Sequence, residues 1–265
     1  MELEIDWSMP WYNSVRGAAE RVPYSGNWLA WLNRYAPKQK ISNADGLPLH
    51  FIEQSSMPPD VAYESYIAGT GCVPTRAVPH DYFNALVWLS FPNTKSLLNR
   101  LHCLHIALYV ISERRGPVRD AITLLDENGA IFVVAEGVHG DELARSLSSH
   151  DWLKLFCDDV DNLTQNSTVY LFGHAVMEKL VSPFKAITAH ALIVEAPRVF
   201  FSYCQSDQRR WLDEELVKRL RHGYPAQISP SMLTPLPIAG LPGWWEGQSD
   251  DFYRDRAVFR PKRGR

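Results

Sequence analysis

An adjacent histidine and aspartate, His80-Asp81, are residue types that suit metal chemistry. An imidazole nitrogen and a carboxylate oxygen both bind divalent cations, and neighbouring residues can deliver them to one ion. The same pair binds metal in the HD-type phosphohydrolases, where a second histidine lies upstream and a second aspartate downstream. His50 and Asp120 stand in that order in this chain. The pair therefore predicts a metal site.

The sequence around this pair also permits a purely structural role. The HD-type enzymes are all-helical, whereas the pattern at Asp120 predicts a strand. In the structural interpretation, Asp81 caps its helix and His80 hydrogen-bonds a carbonyl group. Asn84, one helical turn after His80, would contact the substrate in the metal-site interpretation. Both interpretations stay open at this point.

A second histidine and carboxylate, His174 and Glu178, are four residues apart in a segment predicted to be helical. Residues at this spacing share a helix face, about 5 to 6 Å apart. They could bind one ion, or act as a general base and the residue that orients it. An ordinary surface His–Glu pair has the same spacing, so the structural interpretation stays open beside the functional one.

Three cations, Arg76, Lys95 and Arg119, lie close in sequence to these acids and imidazoles. Arginine can hold a phosphate or carboxylate through its bidentate fork, and lysine can do so as a point charge. With Asn84 and Asp120 they form the predicted substrate-binding set. The alternative is that they neutralise nearby carboxylates. Those carboxylates are Asp81, Asp120, Asp126 and Glu127.

Several common catalytic motifs are absent from the sequence. There is no GxGxxG, GxxxxGK[ST], GxSxG or HExxH string. Dehydrogenases of the nucleotide-binding fold, P-loop NTPases, ordinary α/β-hydrolases and zincins therefore lose support.

The overall charge predicts no general electrostatic attraction to nucleic acid or an anionic membrane, because 27 Lys and Arg residues are nearly balanced by 30 Asp and Glu residues. A basic tail within residues 252–265 is the exception and could contact RNA or a protein partner. No stretch approaches 18 uncharged apolar residues, and the acidic start lacks the features of a secretory signal. We expect a cytoplasmic protein without a membrane span, of undetermined oligomeric state.

The elements that must position these residues are helices and short strands. The patterns predict helices over about 81–90, 94–112 and 207–222 and another that opens at Gly173. Residues 120–125 and 130–135 read as two strands joined by a turn at 126–129, which predicts a β-hairpin. Further strands are predicted at 167–172 and 188–195.

These elements predict an α+β fold, with helices packed on a small mixed or antiparallel sheet that contains the β-hairpin. We expect a single domain over residues 1–265. Its parts are a helical N-terminal extension at 1–70, a core at 71–222, and an irregular C-terminal segment with the basic tail at 223–265.

Four strings carry a resemblance to a known family. They are Val73-Pro-Thr-Arg76 followed by His80-Asp-Tyr-Phe-Asn-Ala-Leu-Val-Trp-Leu-Ser-Phe-Pro-Asn-Thr-Lys95, Arg119-Asp-Ala-Ile-Thr-Leu-Leu-Asp-Glu-Asn-Gly129, Phe172-Gly-His-Ala-Val-Met-Glu-Lys179 and Leu241-Pro-Gly-Trp244. They resemble a bacterial family known as domain of unknown function 3025, over roughly residues 60 to 260. The resemblance implies no activity, cofactor or catalytic residue.

Two functions from different classes follow from these observations. The first is a metal-assisted hydrolase for an anionic, phosphoester-like substrate, in which His80, Asp81, His174 and Glu178 converge on one divalent ion. The second is a non-enzymatic binding or adaptor protein that contacts its partner through Trp244, Trp245 and the basic tail, because Trp and Arg are enriched in binding hot spots. The first requires the four side chains to meet in one cleft.

Overall fold

The computed structural model describes residues 4–24, 26–108 and 116–262, in which many helices surround two small sheets. The α-helices are α1 (Arg16–Ala19), α2 (Trp28–Tyr35), α3 (Tyr63–Thr70), α4 (Pro79–Ser90), α5 (Pro92–Leu108), α6 (Pro117–Asn128), α7 (Val138–Ser149), α8 (Val160–Asn166), α9 (His174–Lys179), α10 (Gln205–Gly223) and α11 (Asp250–Tyr253). The strands are β1 (His50–Glu53), β2 (Cys72–Thr75), β3 (Gly129–Ala135), β4 (Ser167–Leu171), β5 (Thr188–Ala196) and β6 (Thr234–Pro237).

The larger sheet has the strand order β4-β3-β5-β6. Strands β3 and β5 are parallel, while β4 and β6 pair antiparallel with β3 and β5 respectively. Every residue of β3 is buried, since helices α6 and α7 pack on this part of the sheet. The predicted α+β fold with helices around a small mixed sheet is confirmed.

The smaller sheet joins the N-terminal part of the chain to the region of the candidate site. Strands β1 and β2 are parallel, with His50 opposite Cys72 and Glu53 opposite Thr75. Further upstream, the Tyr12 ring stacks on Phe83 of α4 with 5.6 Å between ring centroids. The Tyr12 hydroxyl donates to the Met177 carbonyl of α9 at 3.3 Å. The N-terminal residues therefore share one core with the helices that follow them.

The predicted β-hairpin is wrong. Its first strand and its turn form helix α6 instead, and β3 follows that helix directly. Val118, Ala121, Ile122 and Leu125 are buried at the helical spacing i, i+3, i+4, i+7, and Pro117 occupies the first turn. This apolar stripe packs the helix against the sheet. Asn128-Gly129 ends the helix and does not form a hairpin turn.

The other predicted elements are confirmed with shifts of one to two residues at most of their ends. Helix α5 begins at Pro92, and the predicted end of that helix, at 109–112, lies outside the described residues. None of the described helices combines the length and apolar character that crossing a bilayer requires.

The C-terminal segment packs firmly on the core as far as the structure describes it. Trp244 contacts Trp11 with 6.4 Å between ring centroids, and Phe259 and Tyr253 are buried against Phe156. Removing residues 252–265 would therefore remove buried aromatic side chains, so this segment does not behave as a free arm attached to a finished core.

Candidate metal centre

The first turns of α4 and α9 bring two histidines together. His80 is the second residue of α4, after Pro79 at the first helical position, and His174 is the first residue of α9. The two helices pack against each other. The Nε2 atom of His80 lies 3.1 Å from the Nε2 atom of His174. The predicted convergence of these two imidazoles is therefore present in the fold.

Gly173 sets the position of His174. A Cβ atom on Gly173 would lie 2.4 Å from the backbone nitrogen of Gly129 and 2.6 Å from the Glu127 carbonyl oxygen, so only glycine fits. The backbone N–H groups of Phe172 and Gly173 both donate to the Gly129 carbonyl, at 3.0 and 2.8 Å. This close contact holds the start of α9 against the end of α6.

Glu127 of α6 is the carboxylate that this contact brings to the histidines. Its Oε2 atom lies 3.4 Å from Nε2 of His174 and 4.0 Å from Nε2 of His80. Burial and the neighbouring Asp126 raise the pKa of Glu127, and His80 and Lys95 oppose that shift. A cation at this point would stabilise the ionised carboxylate.

His80, Glu127 and His174 fit a divalent ion. Each offers one ligand atom, and the three atoms lie within 4.8 Å of one another. Metal–ligand bonds of about 2.0 to 2.1 Å in tetrahedral geometry place neighbouring ligand atoms about 3.3 Å apart. The observed separations of 3.1, 3.4 and 4.0 Å are close to that value. One ion between them would need only small side-chain movements.

Glu178 contacts His80 across the boundary between the two helices, whereas its spacing in sequence predicts a partnership with His174. Its Oε2 atom accepts the Nδ1–H of His80 at 2.9 Å. This bond fixes the ring and leaves a lone pair on Nε2 when His80 is neutral. Carboxylates in this position orient metal-binding histidines in many proteins. The geometry therefore gives Glu178 an orienting position, outside the set of ligand atoms.

His174 is buried in a way that keeps its ring neutral. Burial lowers its pKa to about 3, and the Asp126 carboxylate opposes this shift only in part. A histidine must be neutral to bind a metal, so this environment keeps Nε2 available across the physiological pH range.

Asp81 lies beside the histidines in sequence but is held by Arg76. Its carboxylate accepts the Arg76 backbone N–H at 2.6 Å, Nε–H at 3.0 Å and Nη2–H at 2.8 Å. Helix α4 begins at Pro79, so Asp81 lies in the first turn and is not the N-cap residue. The structure thus places it with Arg76 and apart from the three ligand atoms.

Lys95 is paired with a buried carboxylate of α6. Its Nζ donates to Asp126 Oδ1 and Oδ2 at 2.6 and 2.9 Å and to Asn84 Oδ1 at 2.8 Å. Burial on its own raises the pKa of Asp126, but Lys95 and His174 more than offset it, so the pKa lies below its ordinary value. For Lys95, the geometry matches the neutralising alternative. The Lys95–Asp126 pair and Asn84 form one wall of the cavity beside the histidines.

His50, Arg119 and Asp120 do not line this cavity. His50 is exposed at the start of β1. Asp120 is exposed in the first turn of α6, six residues before Asp126, which is about 9 Å along a helix. The strand predicted at Asp120 is wrong, and the metal-ligand order of the HD-type enzymes is not formed. Glu127 on the same helix takes the place that Asp120 would have had.

The cavity has a volume of about 390 Å³ and a polar inner wall that the sequence did not reveal. Tyr63, Glu64 and Asn99 contribute to that wall. Asn99 Nδ2 donates to Glu64 Oε2 at 2.7 Å, and burial raises the pKa of Glu64. The sequence pattern predicts Glu127 only as a carboxylate that nearby cations neutralise, because it places the residue in a turn and not in helix α6. The helical stripe of α6 was the signal that could have located it.

Comparison with known proteins identifies the family of this chain. A family model described as a protein of unknown function, DUF3025, matches residues 49–263 and so includes every residue of the cavity. Neither a curated protein nor a solved structure matches the chain significantly. By this match, and in agreement with the resemblance of its sequence strings, the chain belongs to the DUF3025 family.

Proposed function

We propose that this protein is a metal-assisted hydrolase that acts on an anionic, phosphoester-like substrate. The observation that carries the proposal is the convergence of two imidazole Nε2 atoms and one carboxylate oxygen at a polar cavity. Three protein ligands are typical of catalytic metal sites, because they leave a position for water or substrate. A closed structural site would use a fourth protein ligand.

His80, His174 and Glu127 would hold the ion, which lowers the pKa of a bound water toward about 7. In the hydrolysis, the water oxygen would form a bond to phosphorus, and the bond from phosphorus to the leaving oxygen would break. That oxygen keeps the electron pair and is protonated by solvent. The proton of the attacking water would pass to solvent. The carboxylates of Asp81, Asp126 and Glu178 are already engaged with Arg76, Lys95 and His80 respectively.

Arg76 is the group that we assign to the anionic substrate. Its side chain is 58% exposed and lines the cavity. A guanidinium carries five N–H donors. Asp81 accepts the Nε–H and one N–H of Nη2. Further donors can therefore face a phosphate oxygen while the ion pair holds the side chain in place.

The first test measures metal content. Protein purified without chelator should contain about one equivalent of a divalent transition metal by elemental analysis, and His80→Ala or His174→Ala should lose it. His50→Ala is the matched control, because His50 is an exposed histidine outside the cavity. If the wild-type protein binds no metal even when metal is added, the proposal is wrong.

The second test measures activity. Hydrolysis of p-nitrophenyl phosphate should depend on added Zn²⁺, Mn²⁺ or Mg²⁺, and kcat/KM should fall by about 100-fold or more in His80→Ala. If the metal-loaded protein hydrolyses no phosphoester, phosphodiester or carboxylic ester, the metal site stands but the proposed hydrolase activity is wrong.

A further inference from the structure

A second cavity, of about 530 Å³, lies where the C-terminal segment crosses strands β5 and β6. It shares no lining residue with the cavity at the candidate metal centre. Besides Trp152, four of its lining residues carry nitrogen groups that can donate hydrogen bonds or bear positive charge. They are His150, His190, Arg260 and Lys262.

The electrostatic character of this cavity differs from that of the whole chain. Its described lining residues include no Asp or Glu, whereas the chain has a net charge of -3. The wall of the other cavity, by contrast, includes Glu64, Asp81, Asp126 and Glu127. The second cavity therefore collects positive charge without a carboxylate in its wall to neutralise it.

The two cations belong to the basic tail, and packing holds them in place. The indole Nε1–H of Trp152 donates to the Arg260 carbonyl at 2.8 Å. The Nζ of Lys262 donates to the Ser148 carbonyl at 2.9 Å. Val258 and Phe259, just before them, are buried. The Nε–H of Arg260 donates to the Ala257 carbonyl at 3.1 Å, so both charged side chains are held at the rim of the cavity, which reduces the entropic cost of binding a ligand.

The two imidazoles come from different elements of the fold. His150 follows α7 and stacks on Trp152 with 5.0 Å between ring centroids. His190 lies in β5, and its buried Nδ1 atom has no hydrogen-bond partner among the residues that the structure describes. The Nδ1 atom of His150 is buried in the same way, so Nε2 is the ring atom of each histidine that can meet a ligand in the cavity.

We propose that this cavity is a second binding site, specific for the phosphate group of a small molecule. Arg260 and Lys262 supply the charge, and His150 and His190 supply ring N–H donors. Arginine, lysine and imidazole together suit the several acceptor oxygens of a phosphate. A volume of about 530 Å³ lies within the range of small-molecule sites. The site does not depend on the proposed hydrolase activity.

The test uses isothermal titration of the full chain with inorganic phosphate and with pyrophosphate. The protein is first stripped of divalent metal so that no bound ion contributes to anion binding. We expect saturable binding with one site per chain. The double variant Arg260→Ala with Lys262→Ala should weaken binding at least tenfold. Its fold should survive, because both side chains are exposed and the bond from Trp152 is to the Arg260 backbone.

The matched control is Arg256→Ala, which removes an exposed arginine of the same segment that does not line the cavity. It should bind phosphate as tightly as the wild-type protein. His190→Gln, which changes hydrogen bonding without changing a fixed charge, should weaken binding by a smaller factor. Absence of saturable binding would overturn the proposal. So would equal loss in Arg256→Ala, or an equal response to chloride at the same ionic strength, because either result indicates only general charge attraction.

Discussion

The Nε2 atoms of His80 and His174 face each other at 3.1 Å, although 94 residues separate them in the chain. When both rings are neutral and His80 donates its Nδ1–H to Glu178, Nε2 of His80 carries a lone pair. Two facing lone pairs repel each other, so either Nε2 of His174 is protonated or the two nitrogens share a cation. The contact beside Glu127 therefore suits either a neutral N–H···N hydrogen bond or a cation shared by the two rings.

Replacing Glu178 by alanine should weaken metal binding without removing a ligand. The carboxylate holds the His80 ring, and loss of such an orienting partner typically reduces metal affinity by about 10- to 100-fold. Competition titrations with a chromophoric chelator would measure the change. Glu246→Ala, at an exposed glutamate, should leave the affinity unchanged. Equal affinity in Glu178→Ala and the wild-type protein would contradict the orienting role.

The metal-free protein should lose stability as the pH falls from 6.5 toward 3, because His174 is buried as a neutral ring. Burial lowers the pKa of this histidine from 6.5 to about 3, so the unfolded chain takes up a proton in that window that the folded chain does not. The free energy of unfolding then decreases as the pH falls, by up to about 1.4 kcal/mol per pH unit for this one group. Above about pH 6.5 the ring is neutral in both the folded and the unfolded chain, so this loss of stability is absent.

Urea unfolding of the wild-type protein and of His174→Gln across this pH window would measure that contribution. The variant lacks the titrating ring, so its stability should depend less steeply on pH. Parallel curves for the two proteins would show that His174 titrates normally.

Gly173→Ala should destabilise the protein and separate the candidate metal ligands. The new Cβ would meet backbone atoms of α6 and β3 at 2.4 to 2.6 Å, and backbone cannot move aside as a flexible side chain can. Overpacking of this kind costs about 1 to 3 kcal/mol or more. Thermal unfolding and a metal titration would measure both effects.

The control for this change is Gly69→Ala in α3, where an added Cβ meets no described atom within 4 Å. That substitution should be neutral, or stabilising by up to about 1 kcal/mol, because alanine favours a helix over glycine. Equal effects at the two glycines would contradict the close contact at Gly173.

Lys95→Met should leave the Asp126 carboxylate buried without its counter-ion. Removing one partner of a buried ion pair costs about 3 to 5 kcal/mol. The double variant Lys95→Met with Asp126→Leu should recover a large part of that loss, because no charge remains buried. Urea unfolding of the single and double variants gives the coupling between the two residues. A small effect of the single variant would show that Asp126 is solvated in the folded protein.

Local patterns predicted much of the fold but not the full set of residues at the site. The strand at Ser167–Leu171 and the helix that opens after Gly173 follow from apolar spacing and from the glycine before the helix. Helix α6 was missed because Asn128-Gly129 is a common hairpin turn and also a suitable helix end. That one misreading placed Glu127 in a loop and Asp120 in a strand.

The partnerships within the site could not be obtained from spacing. The bond between His80 and Glu178 joins residues 98 positions apart, and the sequence offers no rule that selects it over the pair His174 and Glu178 on one helix. The burial that suppresses protonation of His174 comes from tertiary packing around α9. Residue types thus located the histidines, while long-range packing decided which carboxylate lies beside both rings.

The side chain of Tyr12 contacts both histidine-bearing helices, through its ring on Phe83 and its hydroxyl on the Met177 carbonyl. The region that defines the family begins only at residue 49. A chain shortened to that boundary would keep every candidate ligand and yet lose a residue that contacts both α4 and α9. A part of the protein that the family definition leaves out thus packs against both helices that carry the two imidazoles.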